Sequence, residues 1–156
     1  QEQAAAVHAA TVGAKKGDVF VSPFIGRLDD IDLDGMDLIT GIQRMFDEQG
    51  SHVELLVASV RDVEHLLYSI YSEVDIITIP YKTIVAWGEQ GLQLPGIDID
   101  RSVFEDENTY LKKSESQDIP FHNIDLDQDL ESFDIHHDLT DKGLAKFAAD
   151  WNNLIG

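Results

Sequence analysis

Val19–Arg27 reads VFVSPFIGR. Its β-branched and aromatic residues favour a pleated strand. Ser22 and Phe24 are two apart, which puts them on one face of that strand. Gly26 permits a sharp exit and leaves Arg27 just past the carboxyl end. Leu56–Arg61 (LVASVR) repeats the arrangement, with Ser59 and Arg61 sharing a face at the end of a second strand. Parallel strands bring their carboxyl ends together, and ligands of α/β folds bind there. Two Ser hydroxyls and two of the four Arg are therefore expected at one rim. Guanidinium forks suit bidentate contact with phosphate oxygens. The competing arrangement pairs Arg27 with Asp29 or Asp30 and leaves no ligand site.

Outward from these stretches, helical and strand patterns alternate. Helices are expected over Glu2–Gly13 (Ala-rich), Gly35–Glu48, Asp62–Tyr71, Tyr81–Gly88 and Thr140–Ile155. Asp62 is the expected N-cap of the third, and Thr140 or Asp138 that of the last. Strands are expected over Asp18–Ile25, Val53–Val60 and Asp75–Pro80. The strands are almost continuously apolar, as in parallel sheets covered on both faces, so the class is α/β. Leu144, Phe147, Ala148, Trp151 and Ile155 form one apolar stripe on the last helix.

The chain has 156 residues, 30 Asp+Glu and 11 Lys+Arg, a net charge of −19. That charge argues against nucleic acid and anionic membrane as partners, since both are polyanions. No apolar run is long enough to span a bilayer. Zero Cys excludes disulfides and thiolate chemistry, and suits a cytoplasmic setting. Asp (20) outnumbers Glu (10), a composition that keeps a surface hydrated in high salt. Leu92–His137 carries eight Asp and four Glu against Arg101, Lys112 and Lys113, a net −9. It shows no sustained period and reads as an acidic insertion or wrapping arm. Val103, Phe104, Tyr110, Phe121, Ile124, Leu126, Leu130 and Phe133 are its expected docking residues.

Other motifs carry less. Asp30–Gly35 (DIDLDG) imitates the start of an EF-hand, but its twelfth position is Gly41 and its eighth Asp37. Calcium binding would need a bidentate Glu and an apolar residue there. The acidic run instead suits the N-terminus of the following helix. His8, His52, His65, His122, His136 and His137 lack metal spacing, and no metal site is assigned. Lys82 directly follows a strand, but reads as an exposed lysine at a helix start.

VFVSPFIGRLDD, LVASVRD, DIITIPYK and DLTDKGLAKFAADW, in this order and spacing, resemble the transaldolase family, including its fructose-6-phosphate-aldolase-like members. QEQAAAVHAATVGAKKGDVF resembles the helix leading into the first motif, with Gln3 matching a recurrent Gln. The resemblance implies the C-terminal part of a (β/α)8 TIM barrel: about three parallel strands with flanking helices, the insertion at 92–137 and a C-terminal helix at 138–156. It implies an enzyme that transfers a dihydroxyacetone unit between sugar phosphates of the pentose phosphate pathway through a Lys Schiff base. Fructose 6-phosphate, sedoheptulose 7-phosphate, erythrose 4-phosphate and glyceraldehyde 3-phosphate are the implied substrates, with no cofactor. Fructose-6-phosphate-aldolase-type cleavage is the alternative activity; a non-catalytic assembly or binding module is the alternative role. The family's substrate and phosphate positions map onto Ser22, Phe24, Arg27, Ser59 and Arg61.

The family's reactive Lys precedes Ile-Pro on an earlier strand, whereas Lys82 follows Ile79-Pro80. No residue here is therefore assigned the catalytic role. Gln1 in place of Met and the low strand count lead to the expectation that the N-terminal half lies outside these residues. A chain of this kind is expected to be inactive alone, and to form a homo-oligomer or associate with the rest of the barrel.

Overall fold

The computed structural model describes residues 1–105 and 116–156. In chain order its elements are helix α1 (Glu2–Ala10), strand β1 (Phe20–Val21), α2 (Ile25–Asp29), α3 (Gly35–Gln49), β2 (Glu54–Val57), α4 (Val63–Tyr71), β3 (Ile76–Ile77), α5 (Tyr81–Glu89), α6 (Ser102–Glu105), a 3-10 turn at Leu130–Ser132 and α7 (Asp138–Ile155).

Local chemistry sets the helix ends. Asp34 caps α3: its carboxylate accepts from the Met36 N–H at 2.9 Å and from the Asp37 N–H at 3.4 Å. Such a cap stabilises by about 1 kcal/mol. Burial holds the Asp34 carboxyl above the usual carboxylate range, against the pull of the Met36 N–H. Gly50 ends the helix in the left-handed conformation, φ 67°, where a side chain would be strained. Asp62 caps α4 as expected, accepting from the His65 N–H at 2.9 Å. The cap of α7 is neither Thr140 nor Asp138 but His137, whose Nδ1 accepts from the Leu139 N–H. A neutral imidazole nitrogen is an acceptor like a carboxylate oxygen, a use that composition does not reveal.

The strands are parallel and ordered β1-β2-β3, as in the chain. Phe20 faces Glu54 and Val21 faces Leu55, and the same offset returns at the Phe24–Ala58 bridge. Leu56 faces Ile76 and Val57 faces Ile77. Val21, Leu55 and Val57 therefore share one face, buried against α1, α3 and α4 with Ile39, Met45, Leu66 and Leu67. The other face is different: among the described residues Phe20 stays 43% exposed and Ile76 36%. The expectation of cover on both faces is thus corrected. Parallel strands in chain order, with helices on one side, form part of a TIM-barrel wall, whose second face looks into the barrel.

The described residues of the 92–137 stretch form no sheet ladder of their own, yet they are anchored. Phe104 is buried and stacks on Tyr71 at 5.0 Å; Tyr71 stacks on Tyr68 at 5.7 Å. Burial, helped by Tyr71, pushes the Tyr68 phenol up to about 12, so Tyr68 is uncharged at neutral pH. Leu126 and Phe133 are also buried, and Val103, Phe121 and Ile124 pack against the core. Leu130 is the exception, exposed on the 3-10 turn, and Tyr110 lies outside the described residues.

Backbone polar groups of residues 119–135 find side-chain partners on α1, on Gln1 just before it and on α3, as docked backbone must. Gln1 donates to the Pro120 carbonyl at 3.0 Å and accepts from the His122 N–H at 2.8 Å. Gln49 does the same for the Ile124 carbonyl (2.7 Å) and the Leu126 N–H (2.9 Å). Gln3 donates to the Ile135 carbonyl at 2.6 Å, while Asp37 and Glu2 accept from the Ile119 and Asp134 N–H groups.

The apolar stripe on α7 is present but uncovered. Leu144, Phe147, Trp151, Leu154 and Ile155 are between 50% and 78% exposed among the described residues. No helix of the described residues is long and apolar enough to cross a membrane.

Candidate functional site

The strand pairing stops early. β2 ends at Val57, Ala58 makes the bridge to Phe24, and Ser59 turns into the left-handed region at φ 61°. Ser59 and Arg61 therefore do not share a strand face, which corrects the alternation expected from the sequence. A non-glycine residue in that conformation costs about 1–3 kcal/mol and persists only where its surroundings hold it. Gly26 and Arg27 likewise lie in α2 rather than in a loop after a strand.

The two motifs are nevertheless bonded to one another. Ile25 N–H donates to the Ala58 carbonyl at 3.1 Å and Gly26 N–H to the Ser59 carbonyl at 3.2 Å. The Arg61 guanidinium crosses back over Gly26, donating to its carbonyl at 3.2 Å and to Asp30 Oδ2 at 2.7 Å. Asp30, one of the two carboxylates that could have neutralised Arg27, is thus engaged by Arg61 instead. That pair is exposed and, as such, worth little by itself.

Arg27 has no carboxylate partner among the described residues. Its guanidinium lies over the Phe24 ring at 4.7 Å and within 5.7 Å of the Phe147 ring of α7. Cation–π contact holds a guanidinium without neutralising it, leaving its N–H fork available to an anion. The Ser22 and Ser59 hydroxyls make no hydrogen bond among the described residues.

Ser22, Phe24 and Arg27 line a cleft of about 850 Å³, with Phe20, Leu28 and α1 forming much of its wall. Segment 118–124 and the start of α7 close its far side. Ser59 and Arg61 are not in its lining; they stand behind Gly26 at the turn. No lysine among the described residues lines the cleft, and Lys82 is exposed in the first turn of α5. Among the described residues no group of His, Asp or Glu is arranged to hold a metal ion. Asp30 and Asp34 of the DIDLDG stretch serve the Arg61 pair and the α3 cap.

The family model for transaldolase/fructose-6-phosphate aldolase matches residues 1–156. The chain belongs to the transaldolase/fructose-6-phosphate aldolase family. It is 46% identical over 89 residues to a probable transaldolase of Ruegeria sp. (strain TM1040), covering 57% of this chain and 41% of that protein. To the probable transaldolase of Rhizobium meliloti (strain 1021) it is 46% identical over 90 residues, 58% of this chain and 42% of that one. To that of Prosthecochloris aestuarii (strain DSM 271 / SK 413) it is 41% identical over 105 residues, 67% and 45% of the two chains. The chain spans less than half the length of these curated relatives.

Within this transaldolase-family chain, three neighbours of the site escaped sequence reasoning. Phe147 read as part of an apolar stripe, yet it also reaches the Arg27 guanidinium. Gly143 stands beside Arg27, where an added Cβ would lie 3.6 Å from Nη1. His65 read as a lone histidine, yet its Nε2 is 3.1 Å from Asp29 Oδ2. The spacing of Arg61 and His65, four residues across a helix start, was the available signal; Asp29 is distant in sequence and gave none.

Proposed function

We propose that this chain supplies the phosphate grip of an enzyme that transfers a dihydroxyacetone unit between sugar phosphates through a Lys Schiff base. Arg27, Ser22 and Phe24 hold the substrate in the cleft, and Ser59 and Arg61 complete the grip at the adjoining turn. The observation that carries this reading is Arg27: a guanidinium held by two rings, without a carboxylate among the described residues, in a cleft on a chain of net charge −19. A half-buried cation in so acidic a protein favours a small dianion over any polyanion. No lysine among the described residues lines that cleft, and no lysine of the chain precedes an Ile-Pro pair, so the amine nucleophile is assigned to sequence outside these residues.

The test is calorimetric titration of the chain with fructose 6-phosphate and with fructose, followed by borohydride reduction and intact-mass measurement. The phosphate ester is expected to bind, fructose to bind at least tenfold more weakly, and Arg27→Ala to lose about one to two orders of magnitude, the scale of a charge-assisted contact. Equal binding of the two sugars overturns the grip. A reduced adduct on any lysine of this chain overturns the assignment of the nucleophile elsewhere.

The exposed stripe of α7 supports association, with another copy or with the rest of the barrel. Light scattering across a concentration series is expected to give a mass above the monomer. A monomer at every concentration would count against self-association.

A further inference from the structure

The grip has two arms on different elements, and something must fix one against the other. Arg61 is tethered at both ends to α2, the helix that carries Arg27. Its guanidinium reaches Asp30, as described. Its backbone N–H donates to His65 Nδ1 at 3.3 Å. His65 is buried in the first turn of α4. Because Nδ1 accepts there, the hydrogen-bond network puts the imidazole proton on Nε2, which donates to Asp29 Oδ2 at 3.1 Å. The Asp29 side chain is buried too, and its other oxygen accepts from the Gly35 N–H at 3.2 Å. Asp62 Oδ1, 3.9 Å from Nδ1, is the other carboxylate beside the ring.

We infer that Asp29 and His65 are positioning residues for phosphate binding: the imidazole fixes the Arg61 amide, and with it the turn from Ser59 to Arg61, against α2. The inference rests on the phosphate-grip reading. Successive carboxylates of α2 divide the work, Asp29 holding the Arg61 backbone through His65 and Asp30 holding the guanidinium directly. A rigid imidazole bridge keeps Ser59 in its left-handed turn without touching the ligand.

The experiment measures affinity of the intact chain for inorganic sulfate, a dianion whose charge does not change with pH, in parallel with thermal unfolding. His65→Asn keeps an acceptor at the place of Nδ1; His65→Gln keeps a donor at the place of Nε2 and removes that acceptor. His65→Asn, which keeps the Arg61 link but loses Asp29, is expected to bind about threefold more weakly than the wild-type chain, and His65→Gln about tenfold more weakly, the scale of a backbone donor left without its partner. A purely structural role would move both variants alike, since each loses one hydrogen bond. Should His65→Gln fail to fold, Asp29→Asn carries the test, with the roughly threefold weakening of His65→Asn expected, since both spare the Arg61 link and disturb the Asp29 one. Wild-type affinity in folded His65→Gln or Asp29→Asn overturns the inference alone, as does equal loss in His65→Asn and His65→Gln. A wild-type chain that binds no sulfate overturns the phosphate grip and the inference with it.

Discussion

Replacing Gly26 by alanine is expected to lower the melting temperature by roughly 5–10 °C and to abolish tight anion binding in the same variant. The added Cβ would lie closer than 3.0 Å to Arg61 Nε and the Ser59 carbonyl oxygen, and 2.7 Å from Arg61 Cγ. Arg61 can swing away; the Ser59 carbonyl cannot, because it belongs to a left-handed turn bonded to Gly26 N–H. Overpacking against backbone costs about 1–3 kcal/mol, sometimes more. In a chain of this size each kcal/mol is worth about 2–4 °C. Glycine supplies space here, where two site motifs cross at van der Waals distance. Differential scanning calorimetry with a sulfate titration checks both halves. An alanine variant that melts and binds like the parent would show that the crossing is looser than described.

Phe104→Ala is expected to cost about 3–5 kcal/mol in urea unfolding, the range for a buried aromatic replaced by alanine. Phe104 is 2% exposed and its ring lies 5.0 Å from Tyr71, nearly parallel. It is the buried anchor of the short helix α6, and the glutamine clamps that hold 120–135 lie too far along the chain to fill the space its ring would leave. Leu130→Ala is the control: Leu130 is 42% exposed, and its change should stay within about 0.5 kcal/mol. A loss below about 1 kcal/mol for Phe104→Ala would mean that the stretch contributes nothing to folding.

These residues also mark how far the sequence could be read. Met36, Ile39, Ile42, Met45 and Phe46 showed α3 because a long helix repeats its pattern several times, and the same holds for α4 and α7. The five residues of α2 complete little more than one turn, too few for a period to appear, so FIGRLDD read as the exit from a strand. Ser59 gave no sign of its turn, because a left-handed conformation at a non-glycine residue is imposed by surrounding bonds rather than by the residue itself. The candidate residues of both motifs could be named from the sequence, but the link between them could not. It runs through Gly26, Asp29 and His65, whose partners are set by tertiary packing. The apolar face of α7 was legible as a face, while its exposure depends on what packs against it.

The glutamines that hold residues 117–137 grip backbone atoms, not side chains. Position along that stretch is therefore read by register, much as a ladder reads a strand, and the identity of each residue is left out of the reading. Substitutions between the clamped points leave the grip intact, whereas inserting or deleting one residue breaks several clamps together. Such a segment is free to accumulate carboxylates without losing its place, and a net charge as negative as this one becomes compatible with an ordered strap.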